Sequence, residues 1–242
     1  MHSLVAAFLL LSASVVSAPS PTGAPQDPKP HAAITPAART DAWILDRQAE
    51  CVRRAKTASP TDVVFVGDSI TQGWEGNGKE AWERTFTGFS TLNLGVSGDR
   101  TEHVLWRLQE APLDRLQPKV VVLLIGTNNL GHGTSNAEQT LDGVLAVVRM
   151  LRAQAPQATL LVCETFPRGE RINPMRGDIL QVNQALRGQL DAKSKALPIG
   201  DRWVRKDGTI DKASMPDFLH LSAAAYQQWA EALLPEIRAS LR

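Results

Sequence analysis

The chain is poor in cysteine and aromatic residues, and it carries almost no net charge. Only two of its 242 residues are cysteines, too few for a disulfide scaffold. Aromatics make up 5%, which argues against a stacking platform for single-stranded nucleic acid. Net charge is +1, and the 26 basic residues are scattered rather than clustered, so neither nucleic acid nor an anionic membrane surface is an expected partner. No His, Asp or Glu shows metal-ligand spacing of the H-E-x-x-H kind, so no metal and no cofactor is expected. Internal repeats are missing, as is a second domain boundary. The G-x-S-x-G elbow of the α/β-hydrolases is also absent, so that fold is not indicated.

The only apolar run outside strand-length segments is Leu4–Val16. It is too short to span a bilayer comfortably but has the length of a signal-peptide core. Val16, Ser17 and Ala18 fit a small-residue cleavage site, so 1–18 reads as a signal peptide and the chain as exported, periplasmic or extracellular, with a membrane tether through a retained N-terminus as the alternative. Residues 19–40 carry six prolines among Ala, Ser and Thr. Such a segment buries too little apolar surface to order itself and is expected to be an extended tether, with His31 solvated.

Residues 41–242 have the composition of one globular domain. Asp41–Lys56 reads as an amphipathic lead-in helix. Asp62–Val66, Lys119–Ile125 and Thr159–Val162 are short, nearly continuous apolar runs, the pattern of strands buried on both faces. Thr91–Leu94 and Leu197–Gly200 are weaker strand candidates. Helical patterns fill the intervals at Thr101–Gln109, Asn136–Gln154, Asn173–Asp191 and Ser222–Leu241. This order predicts an α/β fold, a three-layer α/β/α sandwich around a five-stranded parallel sheet. Cys51 falls in the lead-in helix and Cys163 in a central strand, so two separate thiols are expected.

Four segments hold the chemistry-bearing residues: Gly67–Ile70, Gly95–Asp99, Gly126–Asn129 and Asp217–His220. Alone, each has an ordinary explanation. Ser69 suits a helix N-cap, Gly95 and Gly98 suit a tight turn, Asn128 suits a turn, and Asp217 with His220 suits a surface pair ahead of the last helix. Together they supply a nucleophile, backbone and amide donors for an oxyanion, a base and the carboxylate that orients it. Three of the four follow predicted strands, and ligands of open parallel sheets bind beyond the carboxyl ends of strands. His103 reads as structural, whereas His132 follows Asn128 and rivals His220 as base. A flavodoxin-like nucleotide binder is disfavoured, because Asp68 stands where a phosphate would need N–H groups and positive charge.

With those segments in view, the chain resembles the SGNH hydrolases of the GDSL esterase/lipase superfamily. Within it the chain is most similar to the catalytic subunits of intracellular platelet-activating factor acetylhydrolase. The shared stretches are Val64–Ser69, Asn93–Asp99, His103–Leu108, Gly126–Asn129, Pro167–Glu170 and Asp217–Leu221. The resemblance implies a flavodoxin-like sheet with a shallow, open site. It assigns Ser69, Asp217 and His220 as catalytic residues, and Ser69, Gly98 and Asn128 as the oxyanion hole, preferring Gly98 to Gly95 and His220 to His132. It implies a small acyl pocket of Ile70, Thr127 and Leu219, with the branched Ile70 favouring short chains. Ser97 departs from the pattern, standing where those enzymes often have Gly. The expected activity is that of a serine esterase cleaving acetyl esters. A carbohydrate or glycan O-acetyl esterase is the alternative substrate reading, and a non-catalytic acyl-ligand binding module the alternative of another class. The expected partners are a small-molecule or glycan ester and, at most, a second copy of the chain in a homodimer.

Overall fold

The computed structural model describes residues 30–242, so the signal-peptide reading and residues 19–29 of the expected tether lie outside the described residues. Five parallel strands, β1 (Val63–Gly67), β2 (Thr91–Gly95), β3 (Val120–Leu124), β4 (Thr159–Cys163) and β5 (Ser194–Leu197), form one sheet in the order β2-β1-β3-β4-β5. The helices are α1 (Ala42–Thr57), α2 (Ser69–Gln72), α3 (Lys79–Phe86), α4 (Thr101–Glu110), α5 (Thr127–Gly131), α6 (Ala137–Gln154), α7 (Pro174–Arg187) and α8 (Ala223–Ser240).

Alternation along the strands explains why their sequences look uniformly apolar. Val64, Val66, Val121, Leu123, Leu160 and Val162 point into one core, against Ile44 of α1, Val104 and Leu108 of α4, and Val147 and Leu151 of α6. Val63, Phe65, Val120, Val122, Leu161 and Cys163 point the other way, against Phe86 of α3 and Tyr226, Trp229 and Leu233 of α8. Both faces are covered, so neither half of the alternation is polar. The few aromatics are concentrated on the α8 side, where Trp74 lies 4.8 Å from the rings of both Tyr226 and Trp229. Cys51 and Cys163 are separate buried thiols, and burial pushes the Cys163 thiol up to about 12.

Helix starts follow local chemistry. Asn136, Asn173 and Ser222 cap α6, α7 and α8 by accepting from backbone N–H groups. At α4 the His103 ring accepts from the Arg100 N–H at 3.0 Å, the reach-back that Glu or Gln makes in a capping box. Burial first, then the Arg100 charge, pushes His103 down to about 4. Its reading as structural therefore agrees with its place.

Two expectations need correction. The fifth strand is Ser194–Leu197, three residues earlier than expected; Pro198 has no N–H to continue the ladder, and Ile199–Trp203 turns into a 3-10 helix. As an edge strand paired only to β4, it tolerates exposed Lys195 and so lacks the apolar signature. The second correction concerns the tether. Residues 30–40 pack on the domain instead of extending into solvent. Ala33 is buried and its carbonyl accepts from Thr101 Oγ1 at 2.8 Å, Ala37 N–H donates to Glu102 O, and the His31 ring lies 3.2 Å from Asp142. The proline-based reasoning weighed only what this segment could bury within itself. The surface of α4 and α6 supplies the missing partners.

Candidate active site

The order β2-β1-β3 places a topological switch point between β1 and β3, where connections leave to opposite sides and a crevice opens at the carboxyl ends. Ser69 follows β1, the 95–99 turn follows β2 and Asn128 follows β3. Asp68, not Ser69, is the N-cap of α2: its Oδ1 accepts from Ile70 N–H at 2.9 Å. That frees the Ser69 hydroxyl. His220 Nε2 lies 2.9 Å from Ser69 Oγ, and His220 Nδ1 lies 2.6 Å from Asp217 Oδ2. The other carboxylate oxygen, Oδ1, accepts from the backbone N–H groups of His220 at 2.7 Å and Leu219 at 3.1 Å. Burial alone would raise Asp217, but the donors from His220 and Leu219 outweigh it and hold the carboxyl below its usual range.

The turn bearing these two residues is strained. Phe218 has φ of 59°, a left-handed conformation that costs a non-glycine residue about 1 kcal/mol or more. It persists because Phe218 N–H donates to Met215 O and its carbonyl accepts from Gly169 N–H. The segment around Arg168 and Gly169 therefore braces the turn.

The oxyanion candidates follow β2 and β3, at the same carboxyl edge of the sheet as Ser69. Gly98 has φ of 75°, and its N–H has no acceptor among the described residues. Gly95 instead ends β2 where a Cβ would lie 2.2 Å from Gln72 N, a packing role that agrees with the preference for Gly98. Asn128 Nδ2 donates to Asp99 O at 2.9 Å, which orients the amide and leaves its second hydrogen free. His132 sits at the C-cap of α5 with its ring 3.5 Å from Arg100 Nη1, and no hydrogen bond joins it to Ser69.

The cleft at Ser69 holds about 400 Å³ and is lined by Ser69, Gln72, Gly73, Glu75, Gly76, Ser97 and His220. It is open; Gln72, Glu75 and Ser97 supply polar groups, while apolar atoms make up most of its surface. The expected acyl-pocket residues do not line it. Ile70 is 1% exposed within the α8-side core, Thr127 is buried with Oγ1 accepting from Arg168 Nη1 at 3.3 Å, and Leu219 packs partly on that same core.

Arg39 and Arg168 are site residues that sequence reasoning did not single out, and the capping role of Asp68 is a third feature it did not assign. Arg168, half-buried and held down by that burial, lies between α5 and the 217–220 turn, close enough to sense the Asp68 and Asp217 charges. The Asp68 cap could have been foreseen from an acid wedged between a buried strand and Ser69. Arg39 gave no signal, because its partners are remote in sequence.

Asp68 carries a prediction of its own. Burial first, with the Asp99 charge reinforcing it, raises its carboxyl to about 7, and its Oδ2 has no hydrogen-bond partner among the described residues. An unfolded Asp titrates near 4. Between those values the folded state binds the extra proton, so this contribution is fully present below about pH 4 and lost as pH rises through about 7. Asp68→Asn keeps the cap and removes the titration. Melting curves from pH 4 to 8 should show a flatter pH dependence in the variant, by up to about 4 kcal/mol at about 1.4 kcal/mol per pH unit. An unaltered slope would contradict a proton on buried Asp68.

A parallel 2-1-3-4-5 sheet with a serine, histidine and aspartate hydrogen-bonded in series at its switch point defines a hydrolase that cleaves esters. The chain belongs to the GDSL-like lipase/acylhydrolase family, whose model matches residues 65–228. It is a carboxylic ester hydrolase. It is 40% identical over 174 residues to platelet-activating factor acetylhydrolase IB subunit alpha1 of Homo sapiens, an alignment covering 71% of this chain and 73% of the relative. Subunit alpha2 of Gallus gallus is 39% identical over 188 residues, covering 77% and 79%. A GDSL-like lipase from Bacteroides thetaiotaomicron shares the fold, with a TM-score of 0.66 at 20% identity over 81% of this chain and 98% of that one. The reading as a non-catalytic binding module is set aside.

Proposed function

We propose that the chain hydrolyses short-chain, chiefly acetyl, esters through an acyl-enzyme on Ser69. His220 takes the Ser69 proton as Oγ attacks the ester carbonyl, with Asp217 fixing the tautomer and stabilising the imidazolium. The oxyanion is held by the backbone N–H groups of Ser69 and Gly98 and by the Asn128 amide. His220 then protonates the leaving alcohol, and water releases the acyl group by the reverse roles. The unbroken hydrogen-bond series from Asp217 to Ser69 carries this reading.

Short acyl chains are favoured because Ile70 and Thr127 are packed rather than lining a tunnel. The relatives named for acetylhydrolase activity support the same choice. With p-nitrophenyl esters from acetate to octanoate, kcat/KM is expected to fall at least about tenfold, since a longer chain would have to displace packed side chains at a cost of about 1–3 kcal/mol. A flat or rising series would overturn the acetyl preference.

A second reading names the acceptor. Gln72, Glu75 and Ser97 give the cleft a polar wall, which suits the hydroxyls of an O-acetylated carbohydrate. We propose further that the chain is exported, on the strength of Leu4–Val16 and the Ala18 site, and an exported esterase meets glycans more readily than intracellular lipids. Acetate release from an acetylated oligosaccharide beside an acetylated ether lipid would decide the acceptor. The N-terminal mass of the secreted protein would decide export: an uncleaved chain retained inside the cell excludes it.

A further inference from the structure

The segment 30–41 lies wholly outside the residues matched by the family model, yet it ends in a side chain that reaches the oxyanion turn. Arg39 is nearly buried, with its side chain 7% exposed. Nε donates to Asp41 Oδ2 at 2.7 Å, Nη1 donates to Ser97 O at 2.9 Å, and Nη1 lies 3.5 Å from Asp99 Oδ1. The same segment is anchored upstream through Ala33, Ala37 and His31, so the guanidinium is delivered from a fixed base.

The partner it selects matters most. Ser97 O and Gly98 N–H belong to one peptide group. They point in opposite directions because the peptide is planar and trans. Val96 to Asp99 form a turn closed by Asp99 N–H to Val96 O at 3.1 Å, with Gly98 at positive φ in its third position. That is the type II arrangement. Type I differs mainly by a flip of the central peptide, here the 97–98 group. In the flipped form the Gly98 N–H would swing away from Ser69. The Gly98 backbone itself does not oppose this, since glycine tolerates either sign of φ.

We propose that Arg39 is a positioning residue for ester hydrolysis: by capping Ser97 O it holds the 97–98 peptide in the orientation that aims Gly98 N–H at the oxyanion. The charged donor on the carbonyl end also polarises the peptide and strengthens its N–H. Arg107 does not substitute for it, since its guanidinium holds Asp99 Oδ2, Leu94 O and Gly67 O instead. The N-terminal segment is thus part of the working site. The proposal rests on the reading of Gly98 N–H as an oxyanion donor.

The test is steady-state hydrolysis of p-nitrophenyl acetate by Arg39→Ala and Arg39→Lys in the full chain, beside Asn128→Ala. Arg39→Ala should lower kcat about 10- to 100-fold with KM within about twofold, because removing a donor outright costs about 10²–10³. Arg39→Lys, which keeps one charged donor, should recover part of that loss. The acid limb of the pH profile should stay in place, since the Asp217–His220 pair is untouched, and added methylguanidinium should restore part of the Arg39→Ala rate. A kcat within twofold of wild type overturns the proposal, as does a loss that follows the melting temperature and resists methylguanidinium. If Asn128→Ala loses about 100-fold while Arg39→Ala does not, the oxyanion reading stands and the role of Arg39 falls. If Asn128→Ala keeps full activity, the oxyanion reading itself fails.

Discussion

Ser69→Ala should lower kcat for p-nitrophenyl acetate by at least about 10⁴-fold and leave the fold intact. The acyl-enzyme forms on Ser69 because, among the described residues, it is the one serine in hydrogen-bond reach of a histidine whose second nitrogen meets a carboxylate. Residual rate over water would come from binding and the oxyanion donors alone. The structural cost is small, because Asp68 and not Ser69 caps α2. The variant forfeits a single hydrogen bond at the cleft, worth about 1 kcal/mol. His220→Ala should be comparably inactive, and double loss with Ser69→Ala should add little, since the two act as a unit. His132→Ala separates the rivals. Its ring meets Arg100 rather than Ser69, so that variant should keep most of its activity. Turnover surviving in Ser69→Ala, or lost only in His132→Ala, would sink the assignment.

Asp217→Asn should cost about 10³- to 10⁴-fold in kcat with little change in KM. The two carboxylate oxygens do separate jobs. Oδ1 accepts from the backbone N–H groups of Leu219 and His220, and an asparagine oxygen can keep both bonds. The turn should therefore persist, strained Phe218 included. At the other position the carboxylate oxygen is replaced by an NH₂ group facing His220 Nδ1. Nδ1 must then accept, the ring proton moves to Nε2, and the nitrogen facing Ser69 can no longer take its proton. The tautomer is reversed while the geometry survives, and the imidazolium loses its counter-charge. Asp217→Ala would also release the turn, so the Asn variant is the cleaner measurement. A kcat within tenfold of wild type would show that Asp217 orients nothing that matters to catalysis.

The legible parts of the site and the fold share one property. Strands β1, β3 and β4 were readable because they are buried on both faces, so every position is apolar and the run stands out. Helices α6, α7 and α8 carried caps at Asn136, Asn173 and Ser222, and caps are local chemistry. Ser69, Gly98, Asn128, Asp217 and His220 lay in short segments whose residue types the chemistry requires. Edge strand β5 was displaced by three residues because it is half exposed and therefore mixed in composition. The packing of Ile70 is not legible locally for a related reason. Whether Ile70 lines a cavity or fills a core depends on α8, more than 150 residues away, whose Tyr226 hydroxyl donates to Ile70 O at 2.6 Å.

Sequence alone determined the alternating order of strands and helices, the placing of three reactive segments after strands, and the ester-cleaving chemistry those residue types permit. These rest on periodicity, capping and functional-group identity, each confined to a few neighbouring residues. Only the tertiary structure decided that His220 rather than His132 meets Ser69, and that residues 30–40 fold back on the domain to bring Arg39 to the Ser97 carbonyl. Those outcomes depend on contacts between residues 58 to 151 positions apart. Such contacts are set by how helices and loops pack on the finished sheet, and no local pattern along the chain encodes them.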